Sequence, residues 1–275
     1  MGSGGLIAPH WPDAPANVKA LASTRRGGFS LGPYSDGGGG GGLNLGLHVG
    51  DDPATVQRNR AALRAVLPGA PAWMAQVHGV VVIDAAGASA LPVAPARVGD
   101  ASIGVQGDAS IAATAGVVCA VMTADCLPVL FADLDGRVVG AAHAGWRGLA
   151  GGVLDATAAA MRAAGAGELT AWLGPAIGPA HFEVGADVLD TFLAGARNDV
   201  ERAQVKAAFA PFAGRPGKYL ADIYALARAR LARTSVTRVW GGEQCTVTQA
   251  DRFYSYRRDG VTGRQASLIW LEAAV

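Results

Sequence analysis

The sequence has few cysteines, almost no charge imbalance and no long apolar segment, and each shortage excludes a class of protein. Its three cysteines, Cys119, Cys126 and Cys245, are too few for a disulfide framework, and their odd number leaves at least one free thiol. A net charge of +1 provides no basic field for nucleic acid. No stretch approaches the roughly 20 apolar residues that span a bilayer, and residues 1–5 lack the pattern of a secretory signal. We therefore expect a cytoplasmic protein that binds neither nucleic acid nor membrane.

The hydrophobic content is high enough for a full core. With 51% hydrophobic residues in 275, the chain can fold as a globular enzyme. No internal repeat or Pro/Ser-rich linker divides it, so we predict one domain over residues 1–275. The only low-complexity segment is the six-glycine run at 37–42, which we predict to be a flexible surface loop because glycine has the greatest backbone freedom and no side chain to bury.

The pattern of apolar residues and breakers predicts a mixed α and β chain. Asp52 and Pro53 are typical of a helix start, and they open one of four predicted helices, at 54–66, 151–164, 187–193 and 222–233. Apolar runs predict strands at 80–83, 117–122, 129–131, 138–142, 170–173, 236–240 and 267–271. Some runs are separated by short turns and others by whole helices, so both antiparallel and parallel pairing are expected. This favours an α+β fold with mixed β-sheets flanked by helices.

Three short apolar runs each lead to a potential metal ligand. The runs at 72–77, 117–123 and 138–142 precede His78, Asp125-Cys126 and His143. Functional side chains often lie where strands give way to loops, so we expect these residues to meet. Two imidazoles and one thiolate are a good donor set for Zn²⁺, and three protein ligands leave one tetrahedral position open for water or substrate, as in catalytic sites. Their separations match no compact zinc-finger pattern.

The residues around these ligands carry a resemblance to a known family. Trp146 and Arg147, close after His143, offer a stacking plane and an anion-binding fork. Together with other motifs along nearly the whole chain, they make the sequence resemble the YfiH family, also called the peptidoglycan-editing-factor, laccase-domain or purine nucleoside phosphorylase family. The matching motifs are TRRGGFS (24–30), LNLG (43–46), GDDP (50–53), NR (59–60), QVHG (76–79), TADCLP (123–128), HAGWRG (143–148), LGPAIGP (173–179), FYSYRRD (253–259) and TGR (262–264). The polyglycine run is the main departure.

The resemblance implies a fold, a cofactor and an activity. It implies a layered sandwich of the YfiH/CNF-like type in one cytosolic domain, with Zn²⁺ held by His78, Cys126 and His143. It further implies phosphorolysis of adenosine, inosine and methylthioadenosine, with adenosine deamination as a second reaction. The expected partners are a purine nucleoside and phosphate, and the expected assembly is a monomer or small homo-oligomer.

The two reactions make different demands on the remaining residues. Deamination needs a zinc-activated water and an acid that moves a proton, for which Asp125 is the candidate; the alternative role for Asp125 is to orient a histidine ring. Phosphorolysis needs groups that hold phosphate beside the sugar. The substrate-binding candidates inside the matched motifs are Arg25, Ser30, Asn44, Arg60, Arg147 and Arg257.

Two other classes remain open, and a third is not expected. In a metal-free cysteine hydrolase or amidase acting on peptidoglycan precursors, Cys126 is the nucleophile, His143 the base and Asp125 its orienting acid, but His78 then has no role. A polyphenol oxidase needs a histidine-rich trinuclear copper centre, and only His10, His48 and His181 remain for one, so we expect none. A nonenzymatic binder that uses the metal structurally needs a fourth zinc ligand, from Cys119 or Cys245.

Overall fold

Many short strands and a smaller number of helices make up the molecule. A computed structural model describes residues 5–89 and 105–273. The strands are β1 (Leu6–Ile7), β2 (Val18–Ser23), β3 (Arg26–Ser30), β4 (Pro71–Ala72), β5 (Met74–Ala75), β6 (Val82–Asp84), β7 (Val105–Gln106), β8 (Ala109–Ala112), β9 (Val118–Thr123), β10 (Leu127–Asp133), β11 (Val139–Ala144), β12 (Leu169–Leu173), β13 (Glu183–Gly185), β14 (Phe209–Pro211), β15 (Lys218–Ala221), β16 (Arg238–Gly241) and β17 (Gln265–Leu271). The helices are α1 (Pro53–Arg64), α2 (Ala85–Ser89), α3 (Trp146–Gly151), α4 (Val153–Ala163), α5 (Ala186–Ala194), α6 (Asp199–Ala207), α7 (Ile223–Ala232) and α8 (Tyr256–Asp259), with a 3₁₀ turn at Gly32–Tyr34.

Two larger sheets dominate the architecture. The five-stranded sheet has the order β1-β2-β17-β9-β4, and the six-stranded sheet has the order β16-β12-β10-β11-β8-β6. Both are mixed: β4 pairs parallel with β9, and β16 and β6 pair parallel with β12 and β8, while the other neighbours are antiparallel. Smaller sheets are formed by β13-β15-β14 and β5-β7. The predicted α+β class with mixed sheets is confirmed.

The core divides into layers because the sheet strands alternate their side chains between two apolar faces. On β10, Leu127, Val129 and Phe131 pack towards helices α4, α5 and α7, whereas Leu130 and Ala132 pack towards the other large sheet. Strand β9 alternates in the same way, facing the six-stranded sheet on one side and the cluster that includes α1 on the other. A period of two places successive residues on opposite faces. The result is the predicted layered sandwich, in which helices flank a pair of facing sheets.

The helix predictions succeed where local signals are strong and fail at one glycine. Asp52 caps α1 as expected, accepting from the backbone N–H groups of Ala54 and Thr55. The predicted helix at 151–164 is wrong at its start, because Gly152 has a φ of +98° and separates α3 from α4. That left-handed conformation interrupts a helix and suits glycine. Helices at 187–193 and 222–233 correspond to α5 and α7, and α6 and β8 were not predicted.

The polyglycine run is not free along its whole length. Gly38 and Gly40 are exposed, but the Gly28 backbone N–H donates to the Gly41 carbonyl, and Gly42 is buried. A Cβ on Gly42 would lie 1.8 Å from the Tyr34 carbonyl oxygen, so no other residue fits there. The expectation of a flexible surface loop is therefore wrong at the C-terminal end of the run. Among the described residues, no helix has the length and apolar content needed to cross a membrane.

Candidate metal centre

Strand pairing in the six-stranded sheet brings the predicted ligands together. Strand β10 pairs with β11 so that Leu127 lies opposite Ala144 and Pro128 opposite His143. Cys126, which directly precedes β10, therefore lies beside His143. His78 lies in the connection between β5 and β6, and β6 enters the same sheet beside β8. The three residues thus meet at one end of this sheet.

The geometry of the three side chains suits a tetrahedral metal ion. One potential ligand atom from each of His78, Cys126 and His143 lies within 4.8 Å of the others. The distance from Cys126 Sγ to His78 Nε2 is 3.7 Å, and a tetrahedral zinc site places sulfur and nitrogen ligands about 3.5 Å apart. His143 is buried, Cys126 is half-buried and His78 is exposed. The donor set therefore fits zinc and is open to solvent on the His78 side.

A carboxylate that the sequence analysis did not identify supports both histidines. Asp108 is fully buried, and its Oδ1 lies 2.8 Å from Nδ1 of His143. It also accepts from the backbone N–H groups of Val77, His78 and Gly79, at 3.2, 2.9 and 2.7 Å. Because an ionised carboxylate only accepts hydrogen bonds, Nδ1 of His143 carries the proton, and its Nε2 is left for a metal.

The segment that carries His78 is held in an uncommon backbone conformation. His78 has a φ of +61°, which is uncommon for any residue other than glycine. The Gln76 side chain anchors the same segment to β9, donating to the Met122 carbonyl and accepting from its N–H, both at 2.8 Å. Asp108 and Gln76 together fix the position of His78 relative to Cys126.

Gly145 packs directly against the candidate ligands. A Cβ at this position would lie 2.8 Å from Cδ2 of His78 and 2.9 Å from Sγ of Cys126. Both distances are well below normal van der Waals contact. The backbone of Gly145 has φ −61° and ψ 156°, which any residue can adopt. Glycine is therefore required here by the space that the ligands occupy and not by the backbone conformation.

The electrostatics of the cluster favour a thiolate. Burial raises the pKa of the Cys126 thiol, but the charge of His143 and hydrogen bonds from both imidazoles outweigh this and lower the pKa below its usual value. Burial lowers the pKa of His143, but the Cys126 charge and the Asp108 carboxylate raise it above its usual value. Thiolate is the form of cysteine that binds metal and attacks electrophiles.

Comparison with known proteins identifies the family. The family model described as multi-copper polyphenol oxidoreductase laccase matches residues 19–272. The chain belongs to this laccase-like family. A protein named purine nucleoside phosphorylase from Pseudomonas aeruginosa is 49% identical over 266 residues, covering 97% of this chain and 98% of that protein. Purine nucleoside phosphorylase YfiH of Escherichia coli is 49% identical over 268 residues, with the same coverage. The resemblance to YfiH proteins is confirmed.

Solved structures of similar sequence share the fold of this laccase-like chain. A Neisseria meningitidis protein superposes with a TM-score of 0.83 at 47% identity, covering 98% of this chain and 100% of that protein. YlmD from Geobacillus stearothermophilus superposes with a TM-score of 0.79 at 30% identity, covering 99% of this chain and 98% of that protein. The family description names copper, yet in residues 5–89 and 105–273 the His78, Cys126 and His143 cluster is the one group of at least three potential His, Cys, Asp or Glu ligands.

The positions of the candidate ligands differ in detail from those predicted for this laccase-like chain. The run at 72–77 is two short strands, β4 and β5, and His143 lies inside β11 and not after its end. Cys126 lies in the tight connection between β9 and β10, where Asp125 has a φ of +92°. The expectation that each ligand follows a strand is therefore wrong for His143, although the three side chains do converge.

The Asp125 carboxylate is bonded to groups other than the histidine rings. Its Oδ1 accepts from the Thr246 hydroxyl at 2.5 Å, and its Oδ2 accepts from the backbone N–H of Arg257 at 2.6 Å. The carboxylate that holds a histidine ring is Asp108, so the interpretation of Asp125 as that group is wrong. Asp125 instead ties the Cys126 turn to the C-terminal motif 253–259.

The four candidate arginines differ in how many of their guanidinium donors are already hydrogen-bonded within the protein. Arg25 donates to the carbonyls of Ser35 and Ala250. Arg60 donates to the Leu45 carbonyl and stacks on Trp73. Arg257 donates to the carbonyls of His181 and Glu183.

Arg147 is exposed, with its guanidinium 4.4 Å from the centre of the Trp146 ring, and it has no hydrogen bond or ion pair within the described part of the chain. A fifth arginine, Arg264, was not proposed for substrate from the sequence. Burial lowers the pKa of its guanidinium, and the negative charges of Cys126 and Asp125 oppose this shift.

Ser30 and Asn44 belong to a buried network. The Ser30 hydroxyl donates to Asp51 at 2.6 Å and accepts from Asn59 at 2.9 Å. Asn44 donates to Asp51 at 2.9 Å and accepts from the backbone N–H of Arg264 at 2.9 Å. Both side chains are fully buried. Their contacts connect α1 and β3 to the segment that carries Arg264.

Proposed function

We propose that the chain is a zinc-dependent purine nucleoside phosphorylase acting on adenosine, inosine and methylthioadenosine, with adenosine deamination as a second reaction. The observation that carries the proposal is the convergence of two imidazoles and a thiolate on one solvent-accessible point. Relatives of 49% identity that align over almost their full length and bear the name purine nucleoside phosphorylase support it. The soluble partners are then a purine nucleoside and phosphate, in a cytoplasmic monomer or small homo-oligomer.

His78, Cys126 and His143 would hold the zinc ion. When bound with an open coordination position, zinc supplies Lewis acidity to a ligand in that position. The protein contributes a thiolate at Cys126 and a proton held on Nδ1 of His143 by Asp108. A donor set of two nitrogens and one sulfur suits zinc, and five histidines in the sequence leave too few for a trinuclear copper centre.

Arg147 is the best-placed candidate for phosphate. Phosphate binding needs a guanidinium with free donors, and those of Arg25, Arg60 and Arg257 are partly used by backbone carbonyls. Arg147 lies four residues after His143 and has no such partner in the described residues. The Trp146 ring beside it offers a surface for stacking. Ser30 and Asn44 would act on substrate only through the network that positions Arg264.

Asp125 is the remaining candidate for a proton-transfer role. Its two oxygens each accept a short hydrogen bond, from Thr246 and from the backbone of Arg257. A proton shuttle must exchange partners during the reaction. The observed bonds favour a role in holding the Cys126 turn.

A cysteine hydrolase or amidase is the second candidate, and one observation favours it. Cys126, His143 and Asp108 lie in the order of a nucleophile, a base and an orienting acid. This arrangement needs no metal, and it replaces Asp125 with Asp108 in the acid role. It gives the exposed ring of His78, 3.7 Å from the same sulfur, no function, which is why we rank it second.

The products formed from adenosine test the proposal. Incubation with adenosine and phosphate is expected to yield adenine and ribose 1-phosphate, and omission of phosphate is expected to suppress adenine while leaving any inosine from deamination. Chromatography of the products measures both. The control is the same protein after chelation, which is expected to be inactive, and after zinc is returned, which is expected to restore activity. Absence of adenine with phosphate present, or activity on amides that survives chelation, would favour the hydrolase.

A further inference from the structure

One buried carboxylate contacts both histidines of the metal centre, by different routes. Oδ1 of Asp108 accepts from Nδ1 of His143 at 2.8 Å and from the backbone N–H of His78 at 2.9 Å. Its Oδ2 accepts from the N–H groups of Val77 and Gly79 at 3.2 and 2.7 Å. The backbone carbonyl of Asp108 also accepts from the N–H of His143 at 2.7 Å. Every acceptor group of this residue is therefore committed to the two segments that carry the imidazoles.

The strand order explains why this residue can reach both segments. Asp108 directly precedes β8, which lies between β11 and β6 in the six-stranded sheet. Ala109 pairs with Ala142 of β11 on one side and with Val82 of β6 on the other. His143 follows Ala142, and the His78 segment leads into β6. A side chain at position 108 is thus placed between the two histidines by backbone pairing alone.

The contact of Asp108 with the His143 ring and its contacts with the backbone around His78 have different effects. The bond to Nδ1 fixes the His143 tautomer and ring orientation, which leaves Nε2 facing Cys126 and His78. The bonds to three successive N–H groups hold His78 at its φ of +61°, a conformation that residues with a side chain rarely adopt. Without these hydrogen bonds we expect the His78 backbone to leave this conformation and its ring to move away from Cys126.

We propose that Asp108 is the positioning residue of the metal centre. Its one side chain orients the ring of His143 and holds the backbone that carries His78. The inference rests on the proposed function, because it assigns Asp108 to the zinc site that the proposed function requires. It predicts that the charge and both oxygens of Asp108 are needed for metal affinity as well as for folding.

Asp108→Asn is the sharpest test because it keeps size and shape. An amide presents one acceptor and one donor group, so it either loses the N–H groups of Val77 and Gly79 or faces His143 with a donor that favours the wrong tautomer. We expect the zinc dissociation constant, measured by competition with a chromophoric chelator, to rise about 10- to 100-fold. The visible absorption of the cobalt-loaded variant is expected to change, since it reports ligand geometry.

Asp133→Asn is the matched control. Asp133 is also fully buried and accepts from the backbone N–H groups of Gly167 and Arg137, but it lies at the opposite end of β10 from Cys126. It is expected to lower the melting temperature while leaving zinc affinity and the cobalt spectrum unchanged. Equal loss of zinc affinity in both variants, or none in Asp108→Asn, would overturn the positioning role.

A measurement on the unaltered protein covers the case in which Asp108→Asn does not fold. Long-range proton–nitrogen NMR of the zinc-loaded protein is expected to show the His143 proton on Nδ1, and a metal-bound Nδ1 would overturn the proposal. If the wild-type protein binds no zinc, the proposed function fails by itself. In that case the tautomer of His143 tests the positioning role of Asp108 separately. A tautomer that changes in Asp108→Asn and not in Asp133→Asn supports that role, and an unchanged tautomer in Asp108→Asn contradicts it.

Discussion

Cys126→Ala is expected to abolish stoichiometric zinc binding and to reduce phosphorolysis at least about 100-fold, because loss of a ligand should cost more than the 10- to 100-fold typical of groups that only support one. Cys126 is half-buried, and its Sγ contacts His78 Nε2 at 3.7 Å. The thiolate that its environment favours is the strongest zinc donor in the cluster. Metal content and turnover of the purified variant measure both effects.

The change should leave the fold intact, and Cys119→Ala provides the comparison. Cys126 lies in a half-exposed turn, so the free energy of unfolding of the metal-free variant is expected to change by no more than about 1 kcal/mol. Cys119 is fully buried in β9, so its replacement is expected to cost about 1–2 kcal/mol and to retain zinc and activity. Full activity in Cys126→Ala would contradict the ligand assignment.

Gly145→Ala is expected to weaken zinc binding and turnover about 10- to 100-fold by steric pressure alone. The added methyl would lie 2.8 Å from His78 Cδ2 and 2.9 Å from Cys126 Sγ, so one of these side chains must move. Since alanine accepts the backbone angles of Gly145, there is no conformational penalty to confuse the result. We expect a stability loss of about 1–3 kcal/mol from overpacking, and chelator competition with thermal unfolding measures the two effects separately.

Gly87→Ala is the control for an added methyl group. Gly87 lies in α2, and a Cβ there would meet nothing within 4 Å. This variant is expected to bind zinc as the wild type does and to gain up to about 1 kcal/mol of stability from helix propensity. Wild-type zinc affinity in Gly145→Ala would show that His78 and Cys126 are not held in the positions described.

The sequence was sufficient to identify the candidate ligands because residue type and local context both indicated them. His78, Cys126 and His143 each lie next to an apolar run, and apolar runs are local signals that survive folding. The same is true of α1, whose start is encoded by Asp52 and Pro53. Recognisable motifs along the chain then supplied the family, which composition and periodicity alone do not specify.

The rest of the site depends on long-range pairing that no local pattern reveals. Asp108 precedes a strand that was not predicted, and its role follows from the place of β8 between β6 and β11. Gly145 reads as an ordinary loop glycine until the ligand side chains are positioned against it. The helical pattern at 151–164 is interrupted by the left-handed backbone of one residue, Gly152.

In the polyglycine run, long-range packing orders a position that the local composition predicts to be flexible. Its composition predicts freedom, but Gly42 packs against the backbone near Tyr34.

The most direct test of the metal centre is an anomalous difference map at the zinc absorption edge, from crystals of protein purified without chelator or metal-affinity resin. One peak is expected, within about 2.0–2.3 Å of His78 Nε2, Cys126 Sγ and His143 Nε2, with the fourth position not taken by a protein side chain. A peak elsewhere, a fourth protein ligand such as Cys245, or no peak between these three atoms would contradict the account.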